Sequence, residues 1–199
     1  MVEPIDFYFD FSSPYGYLAA FEIDALARQF DRTTRWHPIL LGAVFKVTGS
    51  GPLTEMHPLR ARYARRDMER AAEKAGLPYQ WPQPFPFAGI APARAFYWAR
   101  ASRPDVAVPL AQALFRAAFQ RQRNIASAGV TAEVAAEVGL DSATVATGMA
   151  QQDVKDTLRA ETDQAIALGV FGSPFFIVAG ESFWGQDRLS HLAWWLERA

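Results

Sequence analysis

The stretch Ile5-Asp-Phe-Tyr-Phe-Asp-Phe11-Ser-Ser-Pro14 carries the strongest fold signal in the chain. Its first seven residues alternate apolar or aromatic side chains with polar ones, which is the pattern of a β-strand. Two serines and a proline follow at once. Serine is favoured at the N-cap of a helix and proline at its first position. Apolar spacing then predicts a helix over residues 15–30, so the chain opens as strand, tight turn and helix.

The segments that follow extend this opening. Residues 33–41 read as a second strand, and strand, helix, strand is a right-handed βαβ unit with a parallel pair. Residues 42–53 contain Gly49, Ser50, Gly51 and Pro52, which is the composition of a loop. From residue 55 to about residue 164 the pattern predicts only helices.

The end of the chain returns to strands. Residues 171–178 and 182–184 are two short strands around a turn that contains Gly180, which predicts a hairpin, and residues 187–198 predict a closing helix. Without residues 47–154 the order is βαβ, a long helix, a hairpin and a helix. We therefore predict an α/β protein with a thioredoxin-like βαβ…ββα domain, residues 1–46 and 155–199, and an inserted all-helical domain, residues 47–154.

Composition excludes several classes of partner. The 199 residues carry a formal net charge of −1, so no global attraction to nucleic acid or to an anionic membrane is expected. No stretch is long and apolar enough to span a bilayer, and the N-terminus lacks the basic and apolar segments of a secretory signal. These observations predict a cytoplasmic protein.

The absence of cysteine excludes a disulfide, a thiolate metal site and a cysteine nucleophile. The three histidines, His37, His57 and His191, are far apart in sequence and none stands in a ligand-spacing motif, so no metal site is expected.

Ser13 is the first candidate for chemistry. It lies where the first strand gives way to the first helix, and the N–H groups and dipole of a helix N-terminus favour negative charge. Thioredoxin-like oxidoreductases carry a reactive cysteine in this turn. A hydroxyl here can instead donate a hydrogen bond to a thiolate that a ligand brings in. The alternative is that Ser12 and Ser13 only cap the helix.

Two further candidates lie near the end of the chain. A cis Ser173–Pro174 bond would offer the backbone of Ser173 to an extended peptide ligand, whereas the alternative is a trans proline at the start of a strand. Asp187, with Gln186, can grip the ammonium end of a ligand. Its alternative role is that of a helix N-cap, and the two roles can coexist.

Three motifs together resemble a known family. Asp6-Phe-Tyr-Phe-Asp-Phe-Ser-Ser-Pro-Tyr15, Phe171-Gly-Ser-Pro174 and Trp184-Gly-Gln-Asp-Arg-Leu189 are similar to motifs of the glutathione-dependent 2-hydroxychromene-2-carboxylate isomerases and the related kappa-class glutathione transferases. The resemblance runs from about residue 5 to residue 195. It implies glutathione as cofactor, a small aromatic substrate and a homodimer.

The resemblance also implies roles for single residues. Ser13 matches the serine that holds the glutathione sulfur, and Ser173, before Pro174, matches the position whose backbone pairs with the cysteinyl part. Gln186 and Asp187 match the pair that binds the γ-glutamyl end. Two positions depart from the family pattern near the glycyl carboxylate: Arg60 stands where a lysine is frequent, and Ser50 where an asparagine is usual.

On the substrate side, Lys46 is a candidate contact for a carboxylate, with a solvated lysine as the alternative. Trp184 is a candidate wall of an aromatic pocket, together with Phe45, Trp81, Phe85 and Phe87, which are otherwise core residues. The implied reaction is an isomerisation by reversible addition of a thiolate. The alternatives are a transferase that conjugates glutathione to electrophiles and a non-catalytic thioredoxin-like module that binds peptides.

Overall fold

The computed structural model describes residues 2–52, 55 and 57–198, and its strands form one mixed sheet. The strands are β1 (Ile5–Phe9), β2 (Thr34–Pro38), β3 (Phe175–Val178) and β4 (Glu181–Trp184). Their order is β2-β1-β3-β4, with β1 parallel to β2 and antiparallel to β3, and with β3 antiparallel to β4. The predicted βαβ unit and the C-terminal hairpin are confirmed, and with them the thioredoxin-like fold class.

Helices account for most of the remaining chain. None of those in the described ranges is long and apolar enough to cross a membrane. In chain order they are α1 (Pro14–Ala19), α2 (Ile23–Gln29), α3 (Leu41–Thr48), α4 (Pro58–Lys74), α5 (Ile90–Ser102), α6 (Pro104–Phe119), α7 (Ala128–Ala136), α8 (Ser142–Ala150), α9 (Gln152–Ala167) and α10 (Leu189–Leu196).

The core runs from the sheet into the inserted helices. Phe7 and Phe9 of β1 stack with ring centroids 4.8 Å apart, and Phe9 lies 5.5 Å from Phe115 of α6. All three side chains are fully buried, so the sheet and the helical segment share one hydrophobic cluster. Tyr8 points to the opposite face of the sheet, where Ala165 of α9 covers it. The division at residues 47 and 154 stays a prediction.

The helix predicted over residues 15–30 is two helices, which corrects the sequence-based expectation. The interruption lies between α1 and α2, and the carbonyl of Ala20 accepts a hydrogen bond of 3.2 Å from Nε2 of Gln112 on α6. This side chain satisfies a carbonyl that the interruption leaves without its helical partner. A side chain from a distant helix thus stabilises the interruption, and residues 20–22 contain no glycine or proline.

The loop predicted over residues 42–53 is also wrong in its first half, because α3 occupies Leu41–Thr48. Gly49, with φ at 71°, ends this helix in the left-handed conformation that glycine favours. Leu40, at the N-cap, provides no side-chain cap. Oδ2 of Asp10 accepts a hydrogen bond of 2.7 Å from the N–H of Leu41 instead, and so caps α3 from 31 residues upstream. Leu53 lies outside the described residues.

A chain of ion pairs covers the α9 side of the sheet. Nε2 of His37 on β2 lies 2.9 Å from Oδ1 of Asp6, and its Nδ1 lies 2.9 Å from Oε2 of Glu161 on α9. Arg35 and Arg100 pair with the same two carboxylates. Burial lowers the pKa of His37, but the hydrogen bonds and charges of both carboxylates outweigh burial and raise this pKa above its usual value.

This network predicts that the free energy of unfolding falls as the pH rises from about 6.5 through the raised pKa of His37 in the folded protein. The folded protein holds the His37 proton more tightly than the unfolded chain does, and this difference stabilises the fold. The stabilisation is complete below a pH of about 6.5, the unfolded pKa, and is lost as the pH rises through the higher pKa of the folded protein. His37→Gln should cost about 2 kcal/mol at pH 6 and flatten the slope. Urea unfolding at several pH values measures both.

The matched control for this prediction is His191→Gln, because His191 is exposed on α10. That variant should keep the wild-type slope. If the free energy of unfolding of His37→Gln changes with pH between 6 and 8 as steeply as that of wild type, the pH dependence comes from other groups.

Candidate functional site

All the site residues predicted from the sequence line one open cleft of about 2,080 Å³. The cleft lies between the β1–α1 turn, the segment before β3, the end of β4 and the face of α4. The sequence-predicted residues on its wall are Ser13, Lys46, Ser50, Arg60, Ser173, Pro174, Trp184, Gln186 and Asp187, and the predicted aromatic set Phe45, Trp81, Phe85 and Phe87 lines it too. The fold thus brings together residues that are up to 174 positions apart, from Ser13 to Asp187.

Ser13 forms the floor of the cleft at the start of α1. Its Oγ accepts a hydrogen bond of 3.0 Å from the N–H of Gly16, which is the N-cap interaction that the alternative interpretation expects. The same oxygen donates its proton to the carbonyl oxygen of Ser173, also at 3.0 Å. Ser13 is only 6% exposed. The hydroxyl therefore caps the helix with a lone pair, while the carbonyl oxygen of Ser173 accepts its single proton.

The Ser173–Pro174 peptide bond is cis, as expected, and Ser173 lies beside Ser13. Oγ of Ser173 accepts a hydrogen bond of 3.0 Å from the N–H of Asp10, which ties the segment before β3 to the end of β1. A Cβ atom on Gly16 would lie 3.0 Å from this Oγ and 3.1 Å from Cβ of Ser13. The glycine in the first turn of α1 thus permits the close approach of the two serines.

Asp10 is a site residue that the sequence-based analysis missed. Its carboxylate is buried, with Oδ1 accepting from the N–H of Ser12 and Oδ2 from the N–H of Leu41, both at 2.7 Å. Burial raises the pKa of Asp10, and the two backbone hydrogen bonds oppose that shift. The available signal was an aspartate two residues before a serine, since Asp side chains bond the backbone two residues on. Asp10 fixes the turn that carries Ser13 against the start of α3.

Gln186 and Asp187 occupy a 3₁₀ turn, Gln186–Arg188, at the far end of the cleft. Asp187 makes no capping hydrogen bond, so its N-cap alternative is wrong. Its side chain is 70% exposed and pairs with Arg188 at 3.0 Å. Nε2 of Gln186 donates to both oxygens of Glu22, at 3.0 and 3.2 Å. Glu22 carried no sequence signal, because its partner lies 164 positions away.

Lys46 lies on α3, Ser50 follows the end of that helix and Arg60 lies in the first turn of α4, and all three line the cleft. All three residues are exposed. Lys46 lines the cleft, as a ligand contact requires, and it is exposed, as a solvated lysine would be.

Aromatic side chains form the remaining wall. Trp81 and Phe85 meet edge to face with ring centroids 5.0 Å apart, and Trp184 meets Phe171 in the same way at 4.8 Å. Trp184 is 54% exposed, so it offers ring surface to the cleft. A Cβ on Gly172 would lie 2.2 Å from Nε1 of Trp184, so this ring position requires glycine before Ser173.

Known proteins similar to this chain cover nearly all of it. A 2-hydroxychromene-2-carboxylate isomerase of Sphingobium xenophagum is 29% identical, with 96% of this chain and 97% of that protein aligned. Glutathione S-transferase kappa 2 of Caenorhabditis elegans is 23% identical over 95% of this chain and 89% of its own length. A solved 2-hydroxychromene-2-carboxylate isomerase superposes with a TM-score of 0.87 at 27% identity, covering 98% of this chain and 94% of that one.

The family model that matches is the DSBA-like thioredoxin domain, over residues 4–197. The match includes the strand and turn that carry Ser13, the inserted helices and the hairpin after Pro174. The mixed sheet and the cis proline beside the first helix agree with it. The chain therefore belongs to the family of DSBA-like thioredoxin domains.

Proposed function

We propose that the protein is a glutathione-dependent isomerase of small aromatic carboxylates, of the 2-hydroxychromene-2-carboxylate isomerase type. The observation that carries the proposal is the Ser13 hydroxyl. It lies at the N-terminus of α1 with its proton directed at Ser173, 3.0 Å away, in a chain that has no cysteine. A protein with this fold and no thiol of its own can perform thiol chemistry only with a thiol from a ligand.

Ser13 stabilises negative charge on the ligand sulfur. Bound glutathione supplies a thiolate that adds reversibly to an electron-poor carbon of the substrate, so that the bond can rotate before the thiolate leaves. When the ligand binds, the Ser13 hydroxyl turns its proton from the carbonyl oxygen of Ser173 to that sulfur, and the N-terminus of α1 adds a favourable field. A free thiol has a pKa of about 8.5, so both effects favour the ionised form at neutral pH.

The walls of the cleft match the rest of the tripeptide. The backbone of Ser173, next to the cis bond, pairs with the cysteinyl part, and Gln186 and Asp187 face the γ-glutamyl end. Arg60 provides a guanidinium for the glycyl carboxylate, and Ser50 provides a hydroxyl on the wall of the same cleft. Lys46 provides an ammonium for a substrate carboxylate, and the ring of Trp184 provides a surface for an aromatic substrate.

A glutathione transferase is the second candidate, because the similarity to the kappa transferase of Caenorhabditis elegans also covers 95% of the chain. The two activities differ in whether the sulfur leaves the product again. Incubation with 2-hydroxychromene-2-carboxylate and glutathione, followed by mass spectrometry, separates them: an isomer without glutathione supports the isomerase, and a stable conjugate supports the transferase.

Calorimetric titration with reduced glutathione, and with S-methylglutathione as a comparison, tests the proposal. We expect saturable binding and about a tenfold loss of affinity in Asp187→Ala, because that variant removes a charged acceptor at the cleft. Glu181→Ala, an exposed change on β4, is the matched control and should bind like wild type. No binding at millimolar glutathione would reject the proposal and favour the peptide-binding module.

The resemblance also leads us to propose a cytoplasmic homodimer. Light scattering on the eluted protein should give about twice the chain mass of 22.1 kDa. A mass equal to one chain would show a monomer.

A further inference from the structure

The carboxylate of Glu22 caps no helix in the local structure. Glu22 lies at the junction of α1 and α2. The carboxylate lines the cleft, and its hydrogen bonds within the described residues come from Nε2 of Gln186. No ion pair joins it to a cation of the described chain. A half-buried anion whose partner is a neutral amide keeps unused acceptor capacity.

Asp187, the carboxylate that the resemblance assigns to the γ-glutamyl end, is in a different situation. Arg188 pairs with it at 3.0 Å, and solvent screens it because it is 70% exposed. Burial raises the pKa of Glu22, whereas the amide of Gln186 and the charge of Lys74 lower it. A ligand cation therefore gains more from Glu22, which is better desolvated and forms no close ion pair within the described residues.

We infer that the carboxylate of Glu22 binds the α-ammonium of the ligand, so that the cleft selects ligands with a free ammonium at this end. The inference rests on the proposed function and adds a binding residue to it. Lys74 of α4 also lines the cleft and provides a cation for the carboxylate of the same zwitterionic headgroup. The carboxylate of Glu22 thus faces the ligand ammonium, and the ammonium of Lys74 faces the ligand carboxylate.

Gln186 acquires a second role in this arrangement. Because its Nε2 donates to Glu22, the amide oxygen is the atom that it has left for the ligand. The amide holds the carboxylate of Glu22 in place without neutralising it. Gln186 is therefore a positioning residue for Glu22 as well as a ligand contact.

The test compares two ligands in two proteins by calorimetry. The ligands are S-methylglutathione and its des-amino analogue, in which hydrogen replaces the α-ammonium group. Wild type should prefer the ammonium form by about 30-fold, and Glu22→Gln should reduce that preference to about threefold, because a charged hydrogen bond is lost while the shape is kept. Glu22→Asp, with the carboxylate drawn back by one methylene, should give an intermediate preference.

Glu73→Gln is the matched control, since Glu73 is exposed on α4 outside the cleft, and it should keep the full preference. Equal weakening of both ligands in Glu22→Gln would show that Glu22 acts only through Gln186, and an unchanged preference would assign the ammonium to another group. Either result overturns the inference and leaves the proposed function intact. Failure of wild type to bind S-methylglutathione would overturn both.

Discussion

Ser13→Ala is expected to lower kcat about 100-fold, while affinity for S-methylglutathione stays within about threefold. The hydroxyl acts on the sulfur and not on the ends of the tripeptide, so its loss destabilises the thiolate more than the bound ligand. The pKa of the bound glutathione thiol should rise toward that of a free thiol, about 8.5. Steady-state kinetics with 2-hydroxychromene-2-carboxylate and titration of the thiolate absorbance measure the two effects.

Loss of the helix cap must be separated from loss of the sulfur contact. Ser13 also accepts the N–H of Gly16, and removing such a cap costs about 1 kcal/mol of stability. Asp141→Ala removes a comparable cap on α8, where Asp141 accepts from the N–H of Thr144 at 2.8 Å, outside the cleft. It should leave kcat unchanged. Equal losses of kcat and ligand affinity in Ser13→Ala would show that Ser13 does not act on the sulfur.

Asp10→Ala is expected to lower the free energy of unfolding by about 3 kcal/mol at pH 7. The substitution leaves the partly buried N–H groups of Ser12 and Leu41 without these acceptors, at up to about 1–3 kcal/mol each. Relief from burying a carboxylate offsets part of this cost, because burial disfavours the charged form. Urea unfolding measures the change.

Comparison with two other variants identifies the cause. Asp141→Ala also removes an aspartate that accepts two hydrogen bonds, but at an exposed helix end, and should cost only about 1 kcal/mol. Asp10→Asn keeps one acceptor oxygen but directs an NH₂ group at an N–H donor. Its loss in the free energy of unfolding should therefore lie between those of Asp141→Ala and Asp10→Ala. A loss for Asp10→Ala no larger than for Asp141→Ala would show that water satisfies the two N–H groups.

The sequence predicts those parts of the fold whose signals are local. The β1–α1 turn is marked by Ser12, Ser13 and Pro14 in direct succession, and the β3–β4 hairpin by Gly180. In the structure the β3–β4 turn adopts positive φ angles at Ala179 and Gly180, which a tight hairpin requires. Each of these features depends on a few adjacent residues, so a periodic pattern and a turn residue suffice to identify it.

The features that the sequence conceals depend on partners far along the chain. The start of α3 has no capping residue of its own, because Asp10 provides the cap. The break between α1 and α2 is stabilised by Gln112 of α6. The contact between Glu22 and Gln186 joins residues 164 positions apart. No local propensity encodes such contacts. Local motifs therefore identify Ser13 and Asp187 as site residues from the sequence, whereas no local motif identifies Glu22.

The 160-residue separation between Ser13 and Ser173 has a consequence during synthesis. At about 5–20 residues per second, a ribosome completes Ser173 roughly 8–30 s after Ser13. In that interval β1 can pair with β2, while the edge that later receives β3 stays open along the aromatic strand Ile5–Phe9. Open apolar edges recruit other chains. Premature termination before the hairpin should therefore yield aggregating products, because β3 covers this edge, and the segment before β3 carries one wall of the cleft.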